Sequence, residues 1–138
     1  KPDLITGKLS AESAARTFAA LMPTDAIVVD ESATSGAFIA PMSVSAEPHH
    51  WLSLTGGSIG FGLPVAVGAA VACPDRKVIA LHGDGGAMYT IQSLWTMARE
   101  NLDICVVIFA HRKYQILQIL LGITLRRHQQ ALRFVDHI

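Results

Sequence analysis

An apolar run, Val78-Ile79-Ala80-Leu81-His82, breaks off abruptly into Gly83-Asp84-Gly85-Gly86. A strand that stops on a carboxylate set between glycines offers one hard oxygen ligand beside backbone N–H groups that no Cβ shields. Divalent metal ions, and the phosphates they neutralise, suit that pairing. A helical pattern resuming from about Met88 would bring a positive helix-dipole end to the same place. A second glycine cluster, Gly56-Gly57-Ser58-Ile59-Gly60-Phe61-Gly62, leads into an alanine-rich stretch. The acids and hydroxyls Asp30, Glu31, Ser32, Thr34 and Ser35 follow another short apolar run.

These residues need elements to position them, and the chain reads as alternating helices and strands. Ser10 can cap a helix over 10–22 that puts Ala14, Ala15, Phe18, Leu21 and Met22 on one face, with Pro23 ending it. Residues 26–30 make a short strand, apolar up to the Asp30 on which it ends, and 51–55 is a candidate for a further one. Between them, 36–50 shows no period, which leaves His49 and His50 in a loop. A helix over 63–72 tolerates Pro64 in its first turn, and its alanines and Gly68 permit close packing on a sheet. Pro74-Asp75 turns the chain into strand 77–82, where His82 reads as a packed core residue. Helix 90–100 places Ile91, Leu94, Trp95 and Ala98 on one stripe, and Trp95 and Met97 are expected to pack. Strand 104–110 follows the break at Asn101 and Asp103, and 124–135 reads as an ordinary amphipathic helix.

Strands that are apolar on both faces and alternate with helices predict a parallel α/β sheet covered on both sides. Ligands of such sheets bind at the carboxyl ends of the strands. All the informative segments fall there: 30–34, 56–62, 83–86 and 110–114. Glu31 reads as a polar partner at the end of its strand.

Composition narrows the function classes. The chain has 138 residues, enough for one domain, with 51% hydrophobic and only 16% charged residues. That balance predicts a surface partly covered by another domain or subunit. Eleven basic and eleven acidic residues cancel, so neither nucleic acid nor an anionic membrane is an expected partner. Cys73 and Cys105 form no CxxC and sit in apolar runs, which predicts reduced, buried thiols and a cytoplasmic setting. No apolar run is long enough to span a bilayer, and no signal-peptide pattern is present.

Three readings compete for the glycine loops. Gly56-Gly57-Ser58-Ile59-Gly60 matches the G-x-S-x-G elbow of an α/β-hydrolase, with Asp84 and His111 following in the right order. That mechanism has no use for two glycines after the acid, and such enzymes are usually much longer. A Rossmann dinucleotide site would need G-x-G-x-x-G, whereas Gly57, Gly60 and Gly62 give G-x-x-G-x-G.

The third reading takes both loops together. Twenty-four residues, 86–109, separate Gly83-Asp84-Gly85 from Ala110-His111. This layout resembles the thiamine-diphosphate motif, in which Gly-Asp-Gly is followed at about this interval by Asn-Asn at the end of the next strand. Gln92-Ser93-Leu94-Trp95-Thr96-Met97-Ala98, Ile104-Cys105-Val106-Val107-Ile108 and Leu54-Thr55-Gly56-Gly57-Ser58-Ile59-Gly60-Phe61-Gly62-Leu63-Pro64 are similar to the same family. The resemblance covers about residues 10–119 and points to the diphosphate-binding domain of benzoylformate decarboxylase and acetolactate synthase-like enzymes. It implies a three-layer α/β/α fold on a mostly parallel, doubly wound sheet.

The resemblance also implies roles. Asp84 would ligate Mg2+, with Gly83, Gly85 and Gly86 around the diphosphate of thiamine diphosphate. Ala33 and Thr34 align with a diphosphate-contacting pair, and Gly57 and Ser58 with the segment passing the aminopyrimidine. Ile59 would be the bulky residue that holds the cofactor bent. Lys113 would offer its backbone carbonyl to the metal beside Tyr114, and Ile116, Leu117 and Leu120 would line the substrate pocket. His111 stands where the family has its second Asn, a side-chain metal ligand, and imidazole suits softer ions than Mg2+. The likeness fades over 120–138. No residue here matches the ylid-forming glutamate, which the family carries on a pyrimidine-binding domain, often from a second subunit. The implied protein is therefore one domain of a longer homodimeric or homotetrameric enzyme that decarboxylates or ligates a 2-keto acid. A non-catalytic, cofactor-binding paralogue is the alternative.

Overall fold

The structure, a computed structural model, describes residues 3, 4, 6–34 and 36–110. Four parallel strands form one sheet in the order β2-β1-β3-β4: β1 Ala26–Glu31, β2 His49–Ser53, β3 Val78–Gly83 and β4 Ile104–Phe109. The two central strands, β1 and β3, are buried almost throughout, while β2 and β4 at the edges are half-covered. That is the burial a β-branched, non-alternating sequence demands.

Helices cover both faces. Against one face lie α1 (Ala11–Leu21) and α2 (Ile39–Ser43), whose Ala15 and Ile39 join Met22, Val28, Ile79 and Leu81 in one cluster. Against the other lies α3 (Gly62–Ala72), whose Leu63, Ala66 and Ala70 meet Val29, Val78, Ala80 and Met97. Met97 belongs to α5 (Ser93–Arg99), and the one-turn α4 (Asp84–Ala87) precedes it. The side chains of β1 alternate between the two clusters, Ile27 and Val29 to one and Val28 to the other. The predicted doubly wound α/β fold is the one observed.

Local chemistry explains the boundaries. Ser10 caps α1 by accepting at its Oγ from Ser13 N at 3.0 Å, and Ser13 Oγ in turn accepts from Ser10 N at 2.8 Å. A reciprocal cap of this kind satisfies two orphan donors of the first turn. Asp30 accepts from Ser32 N at 2.9 Å and Ser32 Oγ at 2.6 Å, which turns the chain sharply off β1.

Several expectations are corrected. The second strand runs from His49 to Ser53, two residues earlier than predicted, so His49 and His50 lie on a strand. His49 packs edge-on against Trp51 and donates from Nδ1 to Glu47 O, while Arg76 donates to His50 Nδ1. The segment after β3 is not one helix over 90–100. It is α4, a turn, then α5, and α5 buries Ser93 and Met97 while Leu94 and Trp95 face outward. Trp95 instead carries the Arg99 guanidinium over its ring at 4.5 Å. Leu21 is exposed at the end of α1, Cys105 is exposed and Cys73 half-buried. Gly68 is exposed, and a Cβ there would meet nothing. The expected helix over 124–135 lies outside the described residues.

Candidate functional site

Strand register sets the site. Glu31 pairs with His82 across β1 and β3, Asp30 with Ser53 across β1 and β2, and Gly83 with Phe109 across β3 and β4. The carboxyl ends of all four strands are therefore level. Residues 32–34, 54–62, 84–90 and Ala110 leave the sheet at one edge, as a parallel sheet requires of its ligand loops.

Asp84 is half-buried immediately after β3, and its Oδ1 accepts from Gly85 N at 3.1 Å. The turn it opens is α4, with Gly83 in extended conformation as its N-cap. The helix dipole expected from Met88 onward is thus replaced by a single turn starting at Asp84 itself, and Met88 ends that turn. Ala33 follows β1 with φ +41°, a left-handed backbone on a non-glycine residue. Thr34 next to it is half-buried.

The glycine loop is held from below and projects above. Gly56 and Gly57 have φ +63° and +68°, and a Cβ on either would meet only open space. Ser58 and Ile59 are exposed, Ile59 by 59%. Ser58 lies in a loop between the end of β2 at Ser53 and the start of α3 at Gly62, so it does not sit on the sharp strand-to-helix turn of a hydrolase elbow. Gly60, with φ +89°, is gripped at both ends: its N–H donates to Glu31 Oε1 at 2.5 Å and its carbonyl accepts from Thr90 Oγ1 at 2.8 Å. Gly62 N–H donates to Glu31 Oε2 at 2.7 Å.

Glu31 therefore acts as a buried bracket between the strand end and both loops. Its Oε1 would be 3.1 Å from a Cβ on Gly86, so Gly86 is small partly to admit that carboxyl group. Beside it lies His82, wholly buried, with Nδ1 3.6 Å from Glu31 Oε2. That is beyond hydrogen-bond reach, and neither ring nitrogen has a partner among the described residues. His82 is the packed core residue its sequence position predicted.

Burial holds the His82 pKa below its ordinary value, against the smaller opposing pull of Glu31 and Asp30. The unfolded chain accepts a proton that the native ring refuses. Stability from this group is complete above about pH 6.5, the unfolded value, and is lost as pH falls toward the lowered native one. Urea unfolding at about pH 7.5 and about pH 5.5 tests this. Wild type is expected to lose more of its midpoint on acidification than His82→Leu; equal losses would refute the assignment.

The predicted site residues on the described loops, Ala33, Thr34, Gly57, Ser58, Ile59, Gly83, Asp84, Gly85 and Gly86, are all brought to this one edge of the sheet. His111, Lys113, Tyr114, Ile116, Leu117 and Leu120 lie outside the described residues. Among the described residues no three His, Cys, Asp or Glu side chains gather as a metal cage, and Asp84 stands as one carboxylate at the end of β3. Such a donor suits an ion that keeps waters and phosphate oxygens as its remaining ligands. The open space over Gly56 and Gly57 fits a group approaching the backbone closely.

The sheet and its loops define a parallel α/β domain with two glycine-rich segments and Asp84 at the strand ends. The chain belongs to the family of C-terminal thiamine pyrophosphate-binding domains of thiamine pyrophosphate enzymes, whose model matches residues 33–130. It is 55% identical over 119 residues to a Mycobacterium tuberculosis protein named for acetolactate synthase large subunit (IlvX), covering 86% of this chain and 23% of that one. It is 36% identical over 117 residues to benzoylformate decarboxylase of Pseudomonas aeruginosa, covering 85% and 22% respectively. Among solved structures, the thiamine diphosphate-dependent 4-hydroxybenzoylformate decarboxylase of Rhodococcus jostii superimposes with a TM-score of 0.74 at 31% identity, over 90% of this chain and 24% of that one. The chain thus spans about a quarter of the length of these relatives. No described helix is long and apolar enough to cross a membrane.

Proposed function

We propose that this domain holds the diphosphate and Mg2+ of thiamine diphosphate within a 2-keto acid decarboxylase or carboligase. The observation that carries this reading is the convergence of the Gly56–Gly62 loop and the Gly83–Gly86 turn on one edge, with Asp84 at the end of β3. Bound thiamine diphosphate supplies the electron sink for breaking or making a bond next to a carbonyl carbon. The protein supplies binding and orientation. Asp84 offers a carboxylate oxygen to Mg2+, and the backbone of 83–86 with Ala33 and Thr34 receives the diphosphate. Gly57, Ser58 and Ile59 face the aminopyrimidine side, where exposed Ile59 is available to press on the ring system. By the family motif, Lys113 and Tyr114 would serve the metal, and Ile116, Leu117 and Leu120 the substrate pocket. A pyrimidine-binding domain, contributed by a second subunit of a homodimer or homotetramer, supplies the activating glutamate. The exposed apolar side chains Met88, Tyr89, Leu94 and Trp95 support a covered surface in the assembly.

Calorimetric titration of the native full-length chain with thiamine diphosphate, with and without Mg2+, tests the reading: binding that depends on Mg2+ supports it, and no binding in either condition refutes it. His111 gives a finer test. If the site is built for the Asn oxygen of the family motif, His111→Asn tightens Mg2+-cofactor binding by about tenfold, or about 1.4 kcal/mol. It also shifts the metal preference from Mn2+ or Co2+ toward Mg2+, because imidazole nitrogen ranks those ions higher. Equal affinity and equal metal order in the two variants would place His111 away from the metal.

A further inference from the structure

We propose that Glu31 is a positioning residue that sets where the Gly56–Gly62 loop presents itself to the cofactor; the inference rests on the function proposed above. A carboxyl group buried to 7% exposure at the end of a central strand is costly unless its oxygens are used. Here both are used on one loop, Oε1 by Gly60 N–H and Oε2 by Gly62 N–H. Two acceptors separated by a rigid carboxyl plane fix the distance and direction of two amides at once. Thr90 closes the grip from the opposite side by donating to the Gly60 carbonyl. Gly60 is thereby the fixed point of the loop, and its own geometry leaves no slack, since a Cβ there would lie 2.7 Å from Tyr89 Cβ.

What projects beyond the fixed point is open. Residues 55–59 are exposed, and a Cβ on Gly56 or Gly57 would meet nothing within 4 Å. The placement of Gly57 and Ile59 is then inherited from the Gly60 anchor. The Gly83–Gly86 turn is linked differently: a Cβ on Gly86 would lie 3.1 Å from Glu31 Oε1, while the two Glu31 hydrogen bonds go to Gly60 and Gly62. Loss of the Glu31 bonds should therefore disturb the half of the site built by the glycine loop and spare the half that holds the diphosphate. A residue that merely stabilised the fold would weaken both halves together.

The test compares two probes, thiamine diphosphate and Mg2+-pyrophosphate, on the native full-length chain at a temperature well below unfolding. Glu31→Gln keeps the length and volume but sets an amide N–H against one backbone N–H, so one bond is lost. Its expected effect is about tenfold weaker thiamine diphosphate binding, from one bond of about 1.4 kcal/mol, with Mg2+-pyrophosphate affinity unchanged within about twofold. Hydrogen exchange at the Gly60 and Gly62 amides should accelerate in the same variant. Thr90→Val, which removes only the second grip, should weaken thiamine diphosphate binding in the same selective way, and it decides the matter if Glu31→Gln does not fold. Unchanged thiamine diphosphate binding in a folded variant, or equal weakening of both probes, would overturn the proposal. A wild-type protein that binds neither probe would overturn the functional reading itself, before any variant is compared.

Discussion

Asp84→Ala is expected to lower affinity for Mg2+-thiamine diphosphate at least about 100-fold, the equivalent of about 2.8 kcal/mol. The size follows from what remains when the carboxylate goes. The diphosphate brings its negative charge to a turn of backbone N–H groups, which offer only partial charges. In the proposed site its counter-ion is the divalent metal, and Asp84 is the one carboxylate among the described residues that leaves β3 into that turn. Without it the metal loses an inner ligand, and the diphosphate then meets the turn with less of its charge neutralised. Asp84→Asn keeps a neutral oxygen and should fall between wild type and the alanine variant. Calorimetric titration of the native full-length chain separates the three. Unfolding curves provide the control, since Asp84 begins a helix of only four residues and its removal should cost little fold stability. Equal affinity in the alanine and wild-type proteins would remove Asp84 from the site and the Mg2+ assignment with it.

The place of Asp84 at the end of β3 was legible because its sequence signal is local. A carboxylate between glycines at the end of a β-branched run keeps the same neighbours in sequence and in space, so Gly83–Gly86 could be located without the fold. The central strands were legible for the same kind of reason: β1 and β3 lack alternation because both of their faces are covered. The edge strand β2 was placed two residues late. Its His49 and His50 look like loop residues, and their strand partners Ala26 and Ile27 on β1 become visible only in three dimensions. The stripe Ile91, Leu94, Trp95 and Ala98 misled in another way. Periodicity reports which face is apolar, not which face the sheet covers, and here Ser93 and Met97 point inward while Leu94 and Trp95 do not.

Glu31 marks where local reasoning stops. As a sequence feature it is one acid at a strand end, and a polar partner is a fair description. Its role comes from two amides 29 and 31 residues away, beside Gly86 in α4. The only available hint was the G-x-x-G-x-G spacing, which fails as a dinucleotide fingerprint and leaves Gly60 and Gly62 without a ligand to serve. Their N–H groups serve the protein's own carboxyl group instead. Thr90 was missed for the same reason, since a hydroxyl that clips a carbonyl 30 residues upstream leaves no local trace.

Two glycines in one helix make the consequence measurable, because the same substitution should act with opposite sign. Both Gly62 and Gly68 lie in α3, and Gly68 was the one whose sequence context pointed to close packing against the sheet. A Cβ on Gly68 meets nothing, and the residue is exposed. Gly68→Ala should therefore stabilise the protein by about 0.5–1 kcal/mol, through lower unfolded-chain entropy and better helix propensity. A Cβ on Gly62 would sit 2.3 Å from His82 Nε2, 2.5 Å from His82 Cε1 and 3.1 Å from Glu31 Oε2. The imidazole has no free space to retreat into, since it is wholly buried on the central strand β3. Moving α3 instead would stretch the Gly62 N–H bond to Glu31 and lift Leu63 and Ala66 from the core. Gly62→Ala should accordingly cost about 2–3 kcal/mol, at the upper end of overpacking penalties. The double variant Gly62→Ala with His82→Ala, which removes the obstructing ring, should recover part of that loss relative to His82→Ala alone. Urea midpoints of the four proteins and Gly68→Ala check the whole set. A neutral Gly62→Ala, or no coupling to His82, would mean that the helix does not approach β3 as closely as the structure places it.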